Sequence, residues 1–208
     1  MYTSIKDLNE KQINSLCNLA NESFGVKISK NEILEKLDSS VLLLPYIQEK
    51  LIGFFSTDIL EIIQIDHFSF LDMYYQRNCK FGIYNSGGVI SNNFQNKGLY
   101  TKIRDCFTTE DLDFISTRTQ NLAVYKAFRN IYGDNIIPNR IRNPNFSEKE
   151  IGYEIAEYLE CKDNFNSDSF ICKNVYEGSR NNVGFIDGLS EKDAYILLHT
   201  KNETNKKN

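Results

Sequence analysis

Gly87-Gly88-Val89-Ile90-Ser91-Asn92-Asn93-Phe94-Gln95-Asn96-Lys97-Gly98-Leu99-Tyr100 is the stretch whose reading decides the fold. A short apolar run ends in a polar turn. Past Gly98, the residues Leu99, Ile103, Cys106 and Phe107 fall on one face of a helix. A strand that turns into a helix start leaves several backbone N–H groups pointing one way, beside the positive end of the helix dipole. Such a place holds phosphate without a metal or a cluster of arginines. Gly98 keeps a Cβ out of the path of an approaching anion, and Lys97 sets a cation beside it. The stretch contains neither Gly-x-x-x-x-Gly-Lys-Ser/Thr nor Gly-x-Gly-x-x-Gly, so it is not a P-loop or a dinucleotide fingerprint.

The rest of the chain reads outward from this point. Asn9 caps a helix carrying Ile13, Leu16, Cys17, Ala20 and Phe24, and Ser29 to Glu32 is a capping box that opens a second helix with Ile33 and Leu37. Val41 to Gln48 and Leu51 to Ile63 read as hairpin strands joined at Glu49-Lys50. Gln64 to Cys79 is aromatic and irregular around His67, a loop with a helical turn that is also a candidate wall for an acceptor pocket. Phe81 to Ile90 is the next strand, and its glycine pair marks a bulge or a close backbone approach. The helix from Gly98 ends near Thr109, and Asp113 to Thr119 is a strand. Asn121 then starts a helix with a stripe of Val124, Tyr125, Phe128, Ile131 and Tyr132. Ser147-x-x-Glu150 caps a further helix to about Glu160, and Ser169 to Val175 and Ala194 to Thr200 are the last strands. Residues 1–200 form one domain in this reading, and the polar tail 201–208 is expected to be disordered.

Composition removes several function classes. The 208 residues carry 24 basic and 28 acidic side chains, net −4, which gives no electrostatic footprint for nucleic acid or an anionic membrane. No apolar run approaches the roughly 20 residues of a membrane span, and the start lacks a secretory signal pattern. Five scattered cysteines without Cys-x-x-Cys spacing read as reduced thiols, and two histidines make no histidine-rich metal centre. The expected compartment is the cytoplasm.

Gln95-Asn96-Lys97-Gly98-Leu99-Tyr100, after a strand reading Val-Ile-Ser, resembles motif A of the GNAT N-acetyltransferases, Gln/Arg-x-x-Gly-x-Gly/Ala. Tyr100 stands where Gly or Ala is usual. Thr117 to Tyr125, a strand ending at an Asn that runs into a tyrosine-bearing helix, looks like that family's motif B. The element order is similar to the GNAT order over most of Met1 to Thr200, with an added piece between Ile136 and Asp168. The resemblance implies an α+β GNAT acyl-CoA-binding fold, a mixed central sheet flanked by helices, in which the motif A and motif B strands splay to admit the cofactor arm. It implies acetyl-CoA as co-substrate and no metal. Val89, Ile90 and Ser91 would lie along the pantetheine, Gln95, Asn96, Lys97, Gly98, Leu99, Tyr100 and Thr101 would surround the pyrophosphate, and Asn121 would mark the motif B end of the cofactor site.

Acetyl transfer needs a neutral amine, a polarised thioester carbonyl and a proton for the leaving thiolate. Many GNAT enzymes carry a basic carboxylate several residues before the position of Val89, where this chain has Tyr84, Asn85 and Ser86. Asp58 and Glu61 are alternatives on the preceding strand, against a plainer reading as solvent-facing strand ends. Phe128 occupies the usual acid-tyrosine position, so Tyr125 becomes the candidate proton donor. Tyr132 lies farther along, and core packing is the alternative for both. The implied reaction is direct transfer to a small-molecule or peptide amine. No nucleic acid or membrane partner is expected, and homodimer formation stays open. The rival is a GNAT-fold module that binds acyl-CoA and does no chemistry.

Overall fold

A computed structural model describes residues 2–24, 27–38, 40–65, 77–95, 97–105, 111–139, 141–176 and 186–201. In chain order its elements begin with β1 (Tyr2–Ser4), α1 (Glu10–Phe24), α2 (Lys30–Leu37), β2 (Val41–Leu43), β3 (Tyr46–Ile47), β4 (Lys50–Leu51), β5 (Gly53–Ile65) and β6 (Arg77–Ile90). They continue with α3 (Leu99–Asp105), β7 (Phe114–Thr119), α4 (Leu122–Tyr132), β8 (Ile136–Ile137), α5 (Phe146–Tyr158), β9 (Phe165–Asn166), β10 (Ile171–Cys172) and β11 (Ala194–Thr200). The expectations for Asn96, Cys106, Phe107, His67 with the aromatics around it, and the tail beyond Lys201 lie outside the described residues.

Side-chain caps set most helix starts. Asn9 and Gln12 exchange side-chain-to-backbone bonds of 3.0 Å at the head of α1. Ser29 accepts the Glu32 N–H at 3.1 Å, while the Glu32 carboxylate turns to Lys36 at 3.2 Å and does not close the box. The α5 box is made by Asn145 and Glu148, not by Ser147 and Glu150, so the helix starts earlier than the sequence suggests. Arg142 decides this: its guanidinium grips Glu148 at 2.7 and 2.6 Å, and Thr200 Oγ1 donates to the same carboxylate at 3.2 Å. Glu148 is only 2% exposed. Burial alone would raise its pKa, but the Arg142 hydrogen bonds and the Asn145 N–H outweigh burial and hold it below the ordinary glutamate value.

Two strand expectations are corrected. The turn at the first hairpin falls on Gln48 and Glu49, both at positive φ (47° and 62°), and it joins the short pair β3–β4 after β2 has stopped ahead of Pro45. The strand expected over Ser169 to Val175 shrinks to Ile171–Cys172 because Phe170 and Asn174 also take positive φ (56° and 55°), which no strand accommodates.

The chain divides into two compact units, and β5 and β6 contribute residues to both. The first is drawn from Met1–Asp58 and Asn85–Thr108. Its β1 and β2 pair antiparallel, as do β2 and β5 with Val41 opposite Thr57, and β6 follows in order. Leu16, Leu19 and Ala20 of α1 and Ile33 and Leu37 of α2 bury against Leu42, Phe54 and Val89.

The second unit is drawn from Ile59–Tyr84, Thr109–Ser179 and Gly184–Asn208. Its sheet is mixed. β6 and β7 run parallel from Gly82↔Phe114 to Tyr84↔Ser116, and β11 lies antiparallel on β7 from Tyr195↔Thr119 to Thr200↔Phe114. β10 and β9 extend it past β11, and β8 also pairs with β11. Ile151 and Ile155 of α5 pack on Phe114, Ile196 and Leu198 in its core. At Gly82 a Cβ would sit 2.5 Å from the Phe114 ring, so glycine lets the parallel strands close there.

Candidate active site

In the first unit, β6 ends with Val89 and Ile90 buried, and the Ser91 N–H donates to the Ile52 carbonyl at 2.9 Å. A 3₁₀ turn over Asn92–Phe94 follows, closed by Phe94 N–H donating to Ser91 O at 2.8 Å. Gln95 Nε2 donates to the Ile90 carbonyl and to Asn92 Oδ1, each at 2.9 Å. Lys97 Nζ donates to the Asn93 carbonyl at 2.9 Å and lies 5.3 Å from the Phe94 ring centroid. Both side chains therefore brace the turn from which they project.

Gly98 has φ +69°, and among the described residues a Cβ built there meets nothing within 4 Å. Among the described residues, glycine is demanded there by the backbone angle and not by a close neighbour. Lys102 N–H makes the first helical bond, to Gly98 O at 3.2 Å. The N–H groups of the turn before it have no acceptor within the helix. Thr101 is half-buried in that turn. Tyr100, the departure from the motif, turns its ring onto Phe55 with centroids 5.5 Å apart. Its bulk is thus absorbed by the sheet.

Asn85 accepts from Thr57 at 3.2 Å and Ser86 donates to Ser56 at 3.0 Å. Asp58 does not face solvent. It is 6% exposed and accepts a 2.5 Å hydrogen bond from Ser40. It is a buried, partnered carboxylate and not a solvent-facing strand end.

In the second unit, Tyr84 is buried, edge-on to Tyr158 at 5.9 Å. Glu61 is exposed, as the plainer reading had it, and accepts from the Cys79 thiol at 2.9 Å. Asn121 uses its side chain as the α4 cap, accepting the Ala123 N–H at 2.8 Å, while its own N–H donates to Thr119 Oγ1 at 2.9 Å. Gln120, which sequence reasoning passed over, is 4% exposed, and its Oε1 is buried without a hydrogen-bond partner among the described residues. Only burial reveals it; a lone glutamine at a strand end carries no signal.

Tyr125 is half-buried and lines a shallow pocket with Arg129, Asp134, Ile136, Asn139 and Ile141, one wall of which is the 3.0 Å Arg129–Asp134 ion pair. Phe128 is buried against Tyr132, whose ring stacks on His199 at 4.6 Å and 17°. Burial lowers the His199 pKa, with the Asn135 backbone pulling the other way. Tyr132 is thus a packing residue, while Tyr125 lines that recess. Among the described residues no group of three His, Cys, Asp or Glu side chains is placed to hold a metal, and no helix is long and apolar enough to cross a membrane.

No protein-family model and no curated protein sequence matches this chain. Solved structures do. The ribosomal-protein-S18-alanine N-acetyltransferase from Escherichia coli is similar at TM-score 0.51 and 9% identity, over 96% of this chain and 92% of its own. An acetyltransferase from Bacillus subtilis, solved in complex with CoA, is similar at TM-score 0.50 and 10% identity, over 97% of this chain and 98% of its own. At such identities the likeness speaks for the path of the backbone, and that path, with its mixed sheet and flanking helices, is the fold of the GNAT N-acetyltransferase superfamily.

Proposed function

We propose that this protein is an acyltransferase that moves an acetyl group from acetyl-CoA to an amine by direct transfer. The observation that carries the reading is the turn from Ser91 to Gly98: a braced, open-sided strand-to-helix junction in a fold shared with a CoA-bound acetyltransferase. Backbone N–H groups at the start of α3 would hold the pyrophosphate, and the backbone of Val89 to Ser91 would pair with the pantetheine. CoA supplies the acetyl thioester. The neutral acceptor amine attacks its carbonyl carbon while a strand N–H steadies the oxyanion, the nitrogen gives up a proton to solvent, and as the C–S bond breaks the thiolate leaves with a proton. We assign that proton to Tyr125, the α4 tyrosine that the Phe128–Tyr132–His199 packing leaves uncommitted. The acceptor class is a small-molecule or peptide amine.

A second reading is favoured by one specific observation. Tyr84, Asn85 and Ser86 fill the place of a basic carboxylate, and Phe128 is buried where an acid tyrosine is usual. On that reading the chain binds acyl-CoA and does not turn it over. Calorimetry with CoA, followed by release of free CoA from acetyl-CoA across a panel of amines, separates the two. Amine-dependent release supports the transferase, binding without release supports the module, and absence of binding refutes both.

A further inference from the structure

The second unit holds a cluster of reactive groups that acyl transfer does not use. Cys161 Sγ lies 3.1 Å from Cys172 Sγ, and the two residues are 5% and 0% exposed. The Arg118 guanidinium favours the Cys161 thiolate by its charge and lies 5.8 Å from the Tyr176 ring centroid. Separate pieces of backbone hold each sulfur. Cys161 closes α5 in a Schellman turn: Glu160 takes φ 55°, its N–H donates to Glu157 O at 2.9 Å, and the Cys161 N–H donates to Ala156 O at 2.8 Å. Cys172 sits in β10 between Phe165 of β9 and Ala194 of β11.

A disulfide needs its sulfurs about 2.05 Å apart, so closure asks for about 1 Å of movement between two fixed backbones. Ordinary buried thiols are inert because nothing stabilises the thiolate. Here the Cys172 hydrogen bond lowers the Cys161 pKa, against the pull of burial and with help from Arg118, while Cys172 is pushed up by the same contact. Residual exposure also falls on Cys161 alone.

We propose that Cys161 and Cys172 are a peroxide-reactive dithiol, with Cys161 the attacking sulfur and Cys172 the resolving one. The Cys161 thiolate attacks hydrogen peroxide, forming an S–O bond as the O–O bond breaks. Sulfur is oxidised by two electrons, the peroxide is reduced, and the departing hydroxide takes a proton to become water. The Cys172 sulfur then attacks Cys161 sulfur. The S–S bond forms, the S–O bond breaks, and the Cys172 proton leaves with the hydroxyl as a second water. An external dithiol restores both thiols by exchange and is itself oxidised to a disulfide. The product ties the end of α5 to β10, and it stands independently of the acyltransferase reading.

The test uses the reduced full-length chain, treated with hydrogen peroxide, blocked with N-ethylmaleimide and mapped by peptide mass spectrometry without reduction. The expected result is a Cys161–Cys172 linked peptide lighter by two hydrogens than its parts and released by dithiothreitol. In Cys172→Ser, whose fold is checked by circular dichroism, dimedone should trap a sulfenic acid at Cys161. Recovery of both residues of the wild-type chain as maleimide adducts after peroxide overturns the proposal. Oxidation of Cys17 or Cys79 ahead of Cys161 overturns it equally.

Discussion

Replacing Gly98 with Asn and with Val separates a glycine kept for its backbone angle from one kept for its empty side. With φ at +69° an L-residue costs about 1–2 kcal/mol in folding, toward the upper end for a β-branched side chain and less for Asn, which tolerates this region. Among the described residues a Cβ there meets no atom within 4 Å, so the backbone angle dominates either cost. Gly98→Val should therefore lose about 2 kcal/mol of stability and Gly98→Asn less than about 1 kcal/mol. Affinity should behave differently. If pyrophosphate sits on the N–H groups that begin α3, either side chain occupies its approach. Losing two charge-assisted hydrogen bonds at about 1.5 kcal/mol each raises Kd by about 10²-fold in both variants. Urea denaturation gives the first pair of numbers and calorimetry with CoA the second. A folded Gly98→Asn protein that binds CoA as tightly as wild type would show that no phosphate comes against position 98, and the assignment of this turn would fall with it.

Three further outcomes follow from the geometry. Tyr125→Phe keeps the ring, so CoA affinity and folding should hold while turnover falls by about 10²- to 10⁴-fold; an unchanged turnover number removes the hydroxyl from the reaction. Arg142→Ala leaves a carboxylate that is 2% exposed with, among the described residues, the Asn145 N–H and the Thr200 hydroxyl, and should cost about 2–4 kcal/mol at pH 7, reduced from the fully buried case because the Arg142 side chain is 38% exposed. Because folding lowers the Glu148 pKa, the pair contributes in full above the unfolded value of about 4.3 and is lost as pH falls through the lower folded value. Denaturation from pH 2 to 7 should then show a flatter acid limb for the variant, and parallel curves would refute the assignment. Gly82→Ala forces a methyl to within 2.5 Å of the Phe114 ring, itself 1% exposed, and should cost about 1–3 kcal/mol; a loss below about 0.5 kcal/mol would mean that the parallel strands can part there.

Local chemistry made the frame legible. Asn9, Ser29 and Asn121 announce their helices because capping is a bond between a side chain and a backbone two or three residues on. The strand–turn–helix around Gly98 is equally local. What sequence missed depends on distant partners or on angles that residue type does not dictate. Asn145 and Ser147 each offer a cap with a glutamate three residues later, and only Arg142 and Thr200 on Glu148 choose between them. Gln48, Glu49, Phe170 and Asn174 take positive φ with no glycine to announce it. At the candidate site the turn was readable, but the inward folding of Gln95 and Lys97 was not, since a lysine in a polar turn looks solvated until its acceptor is seen. The burial of Asp58 is illegible for the same reason: Ser40, its partner, is eighteen residues away along the chain.

That last contact belongs to a set that bears on function. Ser40 with Asp58, Ser56 with Ser86 and Thr57 with Asn85 join residues across the strands of the first unit, and all but Ser86 are buried. Aliphatic side chains at these positions would bury more cheaply, because a polar group inside a sheet is costly unless bonded. The set discriminates instead. Sliding a strand by one residue would turn Ser56 and Asp58 to the opposite face and leave a carboxylate buried without its hydroxyl, a far larger loss than an all-aliphatic strand would feel. Register is thereby fixed between β5 and its neighbours, and with it the level at which β6 stops. Ser91 then meets the Ile52 carbonyl, the 3₁₀ turn begins there, and Gly98 comes to stand at the head of α3. The polar residues inside the sheet thus position the turn outside it, where the proposed chemistry needs backbone N–H groups held in place before any ligand arrives.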